Sequence, residues 1–346
     1  MGGKHFERMI MKKIYGFFGA AALISLAAGC ARDASISSNE QTKTYLDAWV
    51  LVNYPGAAEA GAGIYILEDE PGSGKEYGGE TYPMLAYTIT GTEGTVSSTT
   101  VESVAKQVGT YVKGNYYGSK VWTRSEATMP VGVENMLEGM RVGGRRKVLI
   151  PSWLLGSTRY KNDDEYIKHS PSGTSTSIYD FTLTDFTDDI TKWEIDSLER
   201  YVSRVYPGTD STSFGFYFKE VRPGADDVEF TSDTTVYINY TGRLLNGQVF
   251  DTTIRDTAKK YGIYSSSSTY EPIVINWADD AYSLTMTSNE SDMITGFKET
   301  VWRMKSHGRY TGLFISDLGY GHTGSGSKIP PYSPLIFEIE QVDPAD

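Results

Sequence analysis

The chain has 346 residues, 39% of them apolar and 22% charged, with one cysteine, four histidines and a formal net charge of −12. That length suits two domains of ordinary size, each able to bury a core without a disulfide or metal staple. The charge argues against a nucleic-acid partner, the lone cysteine excludes an intramolecular disulfide, and so few His and Cys speak against a zinc site. With 36 glycines and 25 tyrosines the composition leans towards β structure and many turns.

In chain order, residues 11–30, MKKIYGFFGAAALISLAAGC, come first. Two lysines, an apolar run too short for a comfortable membrane span and a stretch of small residues ending at Cys30 make a secretory signal layout. The terminal LAAGC resembles the lipobox of bacterial lipoproteins, with Ala27 where leucine is commoner. That resemblance implies loss of residues 1–29, lipid on Cys30 and a membrane anchor in the cell envelope, periplasmic or outer-membrane. Residues 30–45 are polar and aperiodic and read as a flexible tether.

Beyond the tether the chain nearly repeats. YPGAAEAGAGIYILEDEPGSG (54–74) lines up with YPGTDSTSFGFYFKEVRPGAD (206–226), and YTITGTEG (87–94) with YTGRLLNG (240–247). GVENMLEGMRVGGRRKVLIP (132–151) then matches GFKETVWRMKSHGRYTGLFIS (296–316). Order and spacing are kept, as two copies of one domain would keep them. They are expected at 46–187 and 204–346, joined by an amphipathic helix over 188–203 with Trp193, Ile195, Leu198, Tyr201 and Val202. In the second copy Val236, Ile238 and Tyr240 alternate along a strand, and Asn246-Gly247 is the pair a tight hairpin wants. Ile294, Phe297, Val301 and Met304 fall at helical spacing, and Leu335, Phe337 and Ile339 alternate along the last strand. One helix against an antiparallel sheet is an α+β layer arrangement.

The series YTG…NG…FD, MITGF, ISDLGYG and IPPYSPLIFEIE, running through about 230–343, resembles an FKBP-type peptidyl-prolyl cis–trans isomerase domain. The resemblance implies two FKBP-like domains, each a twisted antiparallel sheet wrapped around one short helix, with an apolar cup between sheet and helix. It implies proline-containing polypeptides as substrates, macrolides as inhibitors, and no cofactor or metal. Rotation about a peptide C–N bond faces a barrier of about 18–20 kcal/mol, yet no bond breaks. A dry aromatic cup that fits the twisted amide better than either planar form is enough, and lowering the barrier by roughly 5.5 kcal/mol gives ~10⁴-fold. Residue by residue, the resemblance assigns Tyr240, Phe250, Phe297, Tyr320 and Phe337 to the cup walls, with Phe297 where the family has its floor tryptophan. Asp251 corresponds to the acidic wall residue, the Ile294 backbone N–H to the donor for the substrate carbonyl, and Met293 to the rim. Ser325 falls where a loop histidine often lies, in the loop GHTGSGSK (321–328) over the cup. One further aromatic rim position has no clear counterpart; Ile275 or Met286, in the long stretch 256–291, is the candidate.

In the first copy Tyr87 remains, but Ser97 and Ser98 replace Phe250 and Asp251, Val133 replaces Phe297 and Leu155 replaces Tyr320. A fold kept while its cup loses aromatics and acid is expected to be non-catalytic. Its basic cluster, Arg141, Arg145, Arg146 and Lys147, is expected to be a solvated strand surface. The expected function is a cell-envelope isomerase of X–Pro bonds working through the second copy. The alternative is a weakly catalytic or non-catalytic chaperone or protein-binding lipoprotein.

Overall fold

The computed structural model describes residues 38–124, 129–169, 175–226, 228–232, 234–287 and 293–344. The signal-like segment 1–29 and Cys30 lie outside them. Helix α1 (Ser38–Asn53) opens the described chain. The tether expected over 30–45 is therefore corrected from Ser38 onward. Leu46 and Val50, one helical turn apart, bury themselves in the first core and stabilise a helix whose polar first turns hid it.

The first copy runs β1 (Ala58–Gly61), β2 (Ile64–Glu70), β3 (Tyr82–Thr90), β4 (Val96–Thr99), α2 (Glu102–Gln107), β5 (Lys120–Val121), α3 (Val131–Leu137), β6 (Arg145–Ile150), α4 (Asp163–Lys168) and β7 (Ser177–Thr187). Helix α5 (Ile190–Val205) joins it to the second copy. That copy runs β8 (Ser211–Ser213), β9 (Phe216–Arg222), β10 (Thr235–Leu244), β11 (Val249–Thr252), α6 (Arg255–Tyr261), β12 (Ile273–Asn276), β13 (Thr285–Met286), α7 (Thr295–Trp302), β14 (Arg309–Phe314) and β15 (Leu335–Val342).

Both sheets are antiparallel, and their topology repeats. The first has the order β1-β2-β6-β7-β3-β4, with β5 also on β3. The second has β8-β9-β14-β15-β10, with β11 and β12 both on β10 and β13 added beyond β12. Local bonds repeat as well: the Tyr87 N–H donates to Thr100 Oγ1 and the Tyr240 N–H to Thr253 Oγ1, both at 2.9 Å.

Strand alternation sends side chains to both faces of the second sheet. Phe216, Phe314, Leu335 and Phe337 meet α7 on one face. Tyr217, Leu313 and Ile336 meet Leu198 and Val202 of α5 on the other. In the first sheet the basic cluster is ion-paired across strands. Arg145 meets Glu68, Glu70 and Asp180, Arg146 meets Asp69, Lys147 meets Glu68, and Arg141 meets Glu76. Among the described residues no helix is long and apolar enough to cross a membrane.

Candidate active site

The site grows out of the middle of β10. Tyr240 and Gly242 are two residues apart and so share a face. Gly242 pairs with Asp251 of β11 on one side and with Phe337 of β15 on the other. With no side chain at 242 the Phe250 ring can lie over the strand. A Cβ there would come within 2.5 Å of two Phe250 ring carbons and 3.2 Å of Phe337. Phe297 enters from the first turn of α7.

The rings interlock. Phe337 lies 5.1 Å from Phe297, 5.6 Å from Phe250 and 5.9 Å from Tyr240, the first two edge-on. Tyr240 and Phe297 meet edge-on at 5.5 Å. These are favoured aromatic geometries, each adding about 0.5–1.5 kcal/mol beyond area burial. Phe250, Phe297 and Phe337 are 3–5% exposed, while Tyr240 is half-buried, so the cluster forms a dry floor with one open edge.

At that edge the Tyr240 hydroxyl donates to Asp251 Oδ2 at 2.6 Å, and the other carboxylate oxygen accepts from the Thr252 N–H at 2.9 Å. Burial first, then the Asp251 carboxylate, hold the Tyr240 phenol well above the usual tyrosine range, so it stays a donor. The same two causes raise Tyr320, which is half-buried against the same core. Asp251 itself is exposed. Its charge therefore keeps contact with water while its oxygens orient the wall.

Of the other expected residues, Ile294 caps α7 and is half-buried, and its N–H meets no acceptor among the described residues. Met293 beside it is 8% exposed and belongs to the same core. Ser325 is exposed on the loop after Tyr320, where it exchanges backbone bonds with Ile329 at 2.8 and 3.1 Å. Ile275 is fully buried and pairs across β12 and β13 with the half-buried Met286, both packed in this core. Among the described residues no group of three His, Cys, Asp or Glu could hold a metal.

Two participants escaped the sequence reading. Lys328 Nζ donates to the Phe250 carbonyl at 3.2 Å, tying loop to hairpin. Gly242 is the other, and its signal was present in the internal repeat: Ile89 stands there in the first copy, where it pairs with Ser98 and Tyr179. Gly242→Ala should push the Phe250 ring out of place and cost about 1–3 kcal/mol. A urea midpoint equal to that of the native chain would contradict the close approach.

The expectation that the first copy's cup is stripped of aromatics needs correction. Tyr179 occupies the strand position of Phe337, and Trp122 meets Tyr87 edge-on at 5.4 Å. Tyr179 escaped notice because β7 aligns with β15 only through sheet register, across an insertion of different length. The acid is gone, however: Ser98 pairs with Ile89 where Asp251 pairs with Gly242.

The sequence model described as FKBP-type peptidyl-prolyl cis-trans isomerase matches residues 227–342. A probable FKBP-type peptidyl-prolyl cis-trans isomerase of Haemophilus influenzae is 30% identical over 133 residues, covering 38% of this chain and 44% of that protein. An FK506-binding protein of Neisseria meningitidis serogroup A is 30% identical over 105 residues, covering 30% of this chain and 74% of that one. A crystal structure of a peptidyl-prolyl cis-trans isomerase from Pseudomonas syringae pv. tomato aligns at 23% identity with a TM-score of 0.30, over 45% of this chain and 97% of its own. The chain spans about half the length of several curated relatives it matches, 44% for the Haemophilus protein and 54% for a macrophage infectivity potentiator of Trypanosoma cruzi.

Proposed function

The chain belongs to the FKBP-type peptidyl-prolyl cis–trans isomerase family, and from that premise we propose that the second copy, 204–346, accelerates X–Pro rotation in exported polypeptides. The first copy, 46–187, is a non-catalytic companion joined to it through the helix at 188–203. The observation that carries this reading is the Tyr240–Asp251 hydrogen bond at the open edge of a buried ring cluster.

The planar amide is the more polar form and is best solvated by water. A proline ring seated on Phe297, Phe337 and Phe250 leaves that solvent, which favours the twisted amide. The Ile294 N–H donates to a carbonyl of the bound chain in this reading. Tyr240 and Tyr320 close the side nearest Asp251. Macrolides of the kind that name the Neisseria relative are expected to compete for the same surface.

A refolding-coupled proline isomerisation assay on the full chain separates the two copies. Asp251→Ala removes the acceptor of the Tyr240 hydroxyl and should lower kcat/KM about tenfold. Tyr87→Phe in the first copy should leave it unchanged. Full activity in the Asp251 variant, or a loss in the Tyr87 variant, would refute the assignment of copies. Proline-peptide binding without turnover by the native chain favours the alternative, a binding or chaperone protein. That alternative draws on the same packing, because three floor rings no more than 5% exposed leave little ring surface for a bound amide.

We also propose that the protein sits in the cell envelope, held by lipid on Cys30. The LAAGC ending of an apolar, lysine-led segment supports this. The mature protein isolated from membranes should carry an acylated N-terminal Cys30, and a mass matching the unmodified residue would remove the anchor.

A further inference from the structure

The loop after Tyr320 does not hang free over the ring cluster. Ser327 and Lys328, adjacent in sequence, tie it in two directions. Lys328 Nζ reaches the Phe250 carbonyl at 3.2 Å, on the strand that carries Asp251. Ser327 turns instead to the first copy: its carbonyl accepts from the Tyr116 N–H at 2.8 Å and its hydroxyl donates to Asn115 Oδ1 at 2.7 Å. One residue earlier, the Gly114 carbonyl accepts from Gln248 Nε2 at 3.0 Å, two residues before Phe250. The Tyr116 ring packs against the second core, and its hydroxyl is satisfied by the Ser119 carbonyl at 2.9 Å. Further along, Tyr332 meets Tyr82 of the first copy edge-on at 5.4 Å.

The segment that makes these contacts exists in both copies. In the first, Tyr111 and Tyr117 stack at 5.3 Å and the Val112 N–H donates to Tyr117 Oη at 3.0 Å. In the second, Tyr264 and Tyr270 stack at 5.4 Å and the Ser265 N–H donates to Tyr270 Oη at 2.8 Å. The turn is the same, its tip is not. Ser268 and Thr269 stand exposed in the second copy, whereas Asn115 and Tyr116 in the first are partly buried on the loop.

We propose that Gly114–Tyr116 of the first copy is a positioning element for the loop 321–329, and that it sets the affinity of the second copy for chain flanking the proline. The proposal rests on the reading of the second copy as the site. A loop already held in place loses little conformational freedom when a polypeptide lies across it, so binding is tighter. Neither Asn115 nor Ser327 belongs to the buried ring cluster, so the twisted amide is stabilised as before when their bond is lost. Asn115 and Tyr116 thus act through the loop, as positioning residues.

The test uses the full chain with Asn115→Ala, Ser327→Ala and the double variant, each trimming a side chain that forms no part of the ring floor. Each single change should raise KM about two- to tenfold with kcat unchanged. The double variant should be no worse than either single one, because both remove one bond. Hydrogen exchange at the Ser325 and Ile329 amides should quicken in all three. An additive double variant, a fall in kcat at constant KM, or unaltered exchange overturns the proposal. If the native chain shows no turnover, the reading of the site as an isomerase fails by itself. The dissociation constant of an X–Pro peptide then replaces KM, and its failure to shift in the variants overturns the positioning role.

Discussion

Phe337→Ala should unfold the second copy at a much lower urea concentration than the native chain, with a loss of about 3–5 kcal/mol, the range that buried Phe→Ala changes cost. The reason lies in its neighbours. Phe337 is 4% exposed and touches four rings, those of Tyr240, Phe250, Phe297 and Phe314. Its cross-strand partners on both sides are glycines, Gly242 of β10 and Gly312 of β14. No side chain in that row can lean into the space the ring leaves. Gly312 cannot be filled in compensation, because a Cβ there would collide with Thr300 of α7. The matching change in the first copy, Tyr179→Ala, should cost less: Tyr179 is half-buried and its partners, Ile89 and Val148, carry side chains. Equal losses for the two variants, or a loss under about 1 kcal/mol for Phe337→Ala, would show that the glycine row does not control the packing.

That contrast also marks how much was legible in the residues alone. The repeat, the two antiparallel sheets and the short helix beneath each could be read, because turn glycines and period-two alternation survive in both copies. Tyr240, Phe250, Asp251, Phe297 and Phe337 come together as neighbours, since they sit at fixed strand and helix positions of one compact layer. What stayed hidden is what depends on register or on the other copy. Gly242 reads as a turn-like residue until its pairing with Asp251 and Phe337 is known. Tyr116 reads as one of many surface tyrosines until the loop of the second copy is placed against it. The helix over 188–203 was expected to present Trp193, Ile195, Leu198, Tyr201 and Val202. Leu198 and Val202 are buried as expected and Trp193, Ile195 and Tyr201 are half-buried, but the buried stripe is completed by Ile190 and Glu194. A carboxylate in the middle of that stripe is invisible to any count of apolar residues.

Glu194→Ala should also be strongly destabilising, although Glu194 lies outside the ring cluster. Glu194 is 3% exposed, and its two oxygens accept from the Ser316 N–H at 2.6 Å and the Ser316 hydroxyl at 2.7 Å. Those bonds cap the short 3-10 turn Ser316–Leu318, which leads straight into Tyr320. Removing the carboxylate leaves both buried Ser316 groups without their partner, at roughly 1–3 kcal/mol each, and should loosen Tyr320 as well. Glu194→Gln separates hydrogen bonding from charge. Burial raises the Glu194 carboxyl above the usual range and neighbouring Asp317 adds to it, while the two Ser316 bonds lower it without cancelling the rise. A raised folded pKa means the fold prefers the protonated acid. Its contribution is complete below the unfolded pKa of about 4.3 and is lost as pH climbs through the folded value. Urea denaturation at pH 4, 6 and 8 should show Glu194→Gln gaining on the native chain as pH rises, because the amide has no charge to desolvate. A difference that stays flat across that range, or runs the other way, would mean the Ser316 bonds outweigh burial and the carboxylate is held ionised in the joint between the two copies.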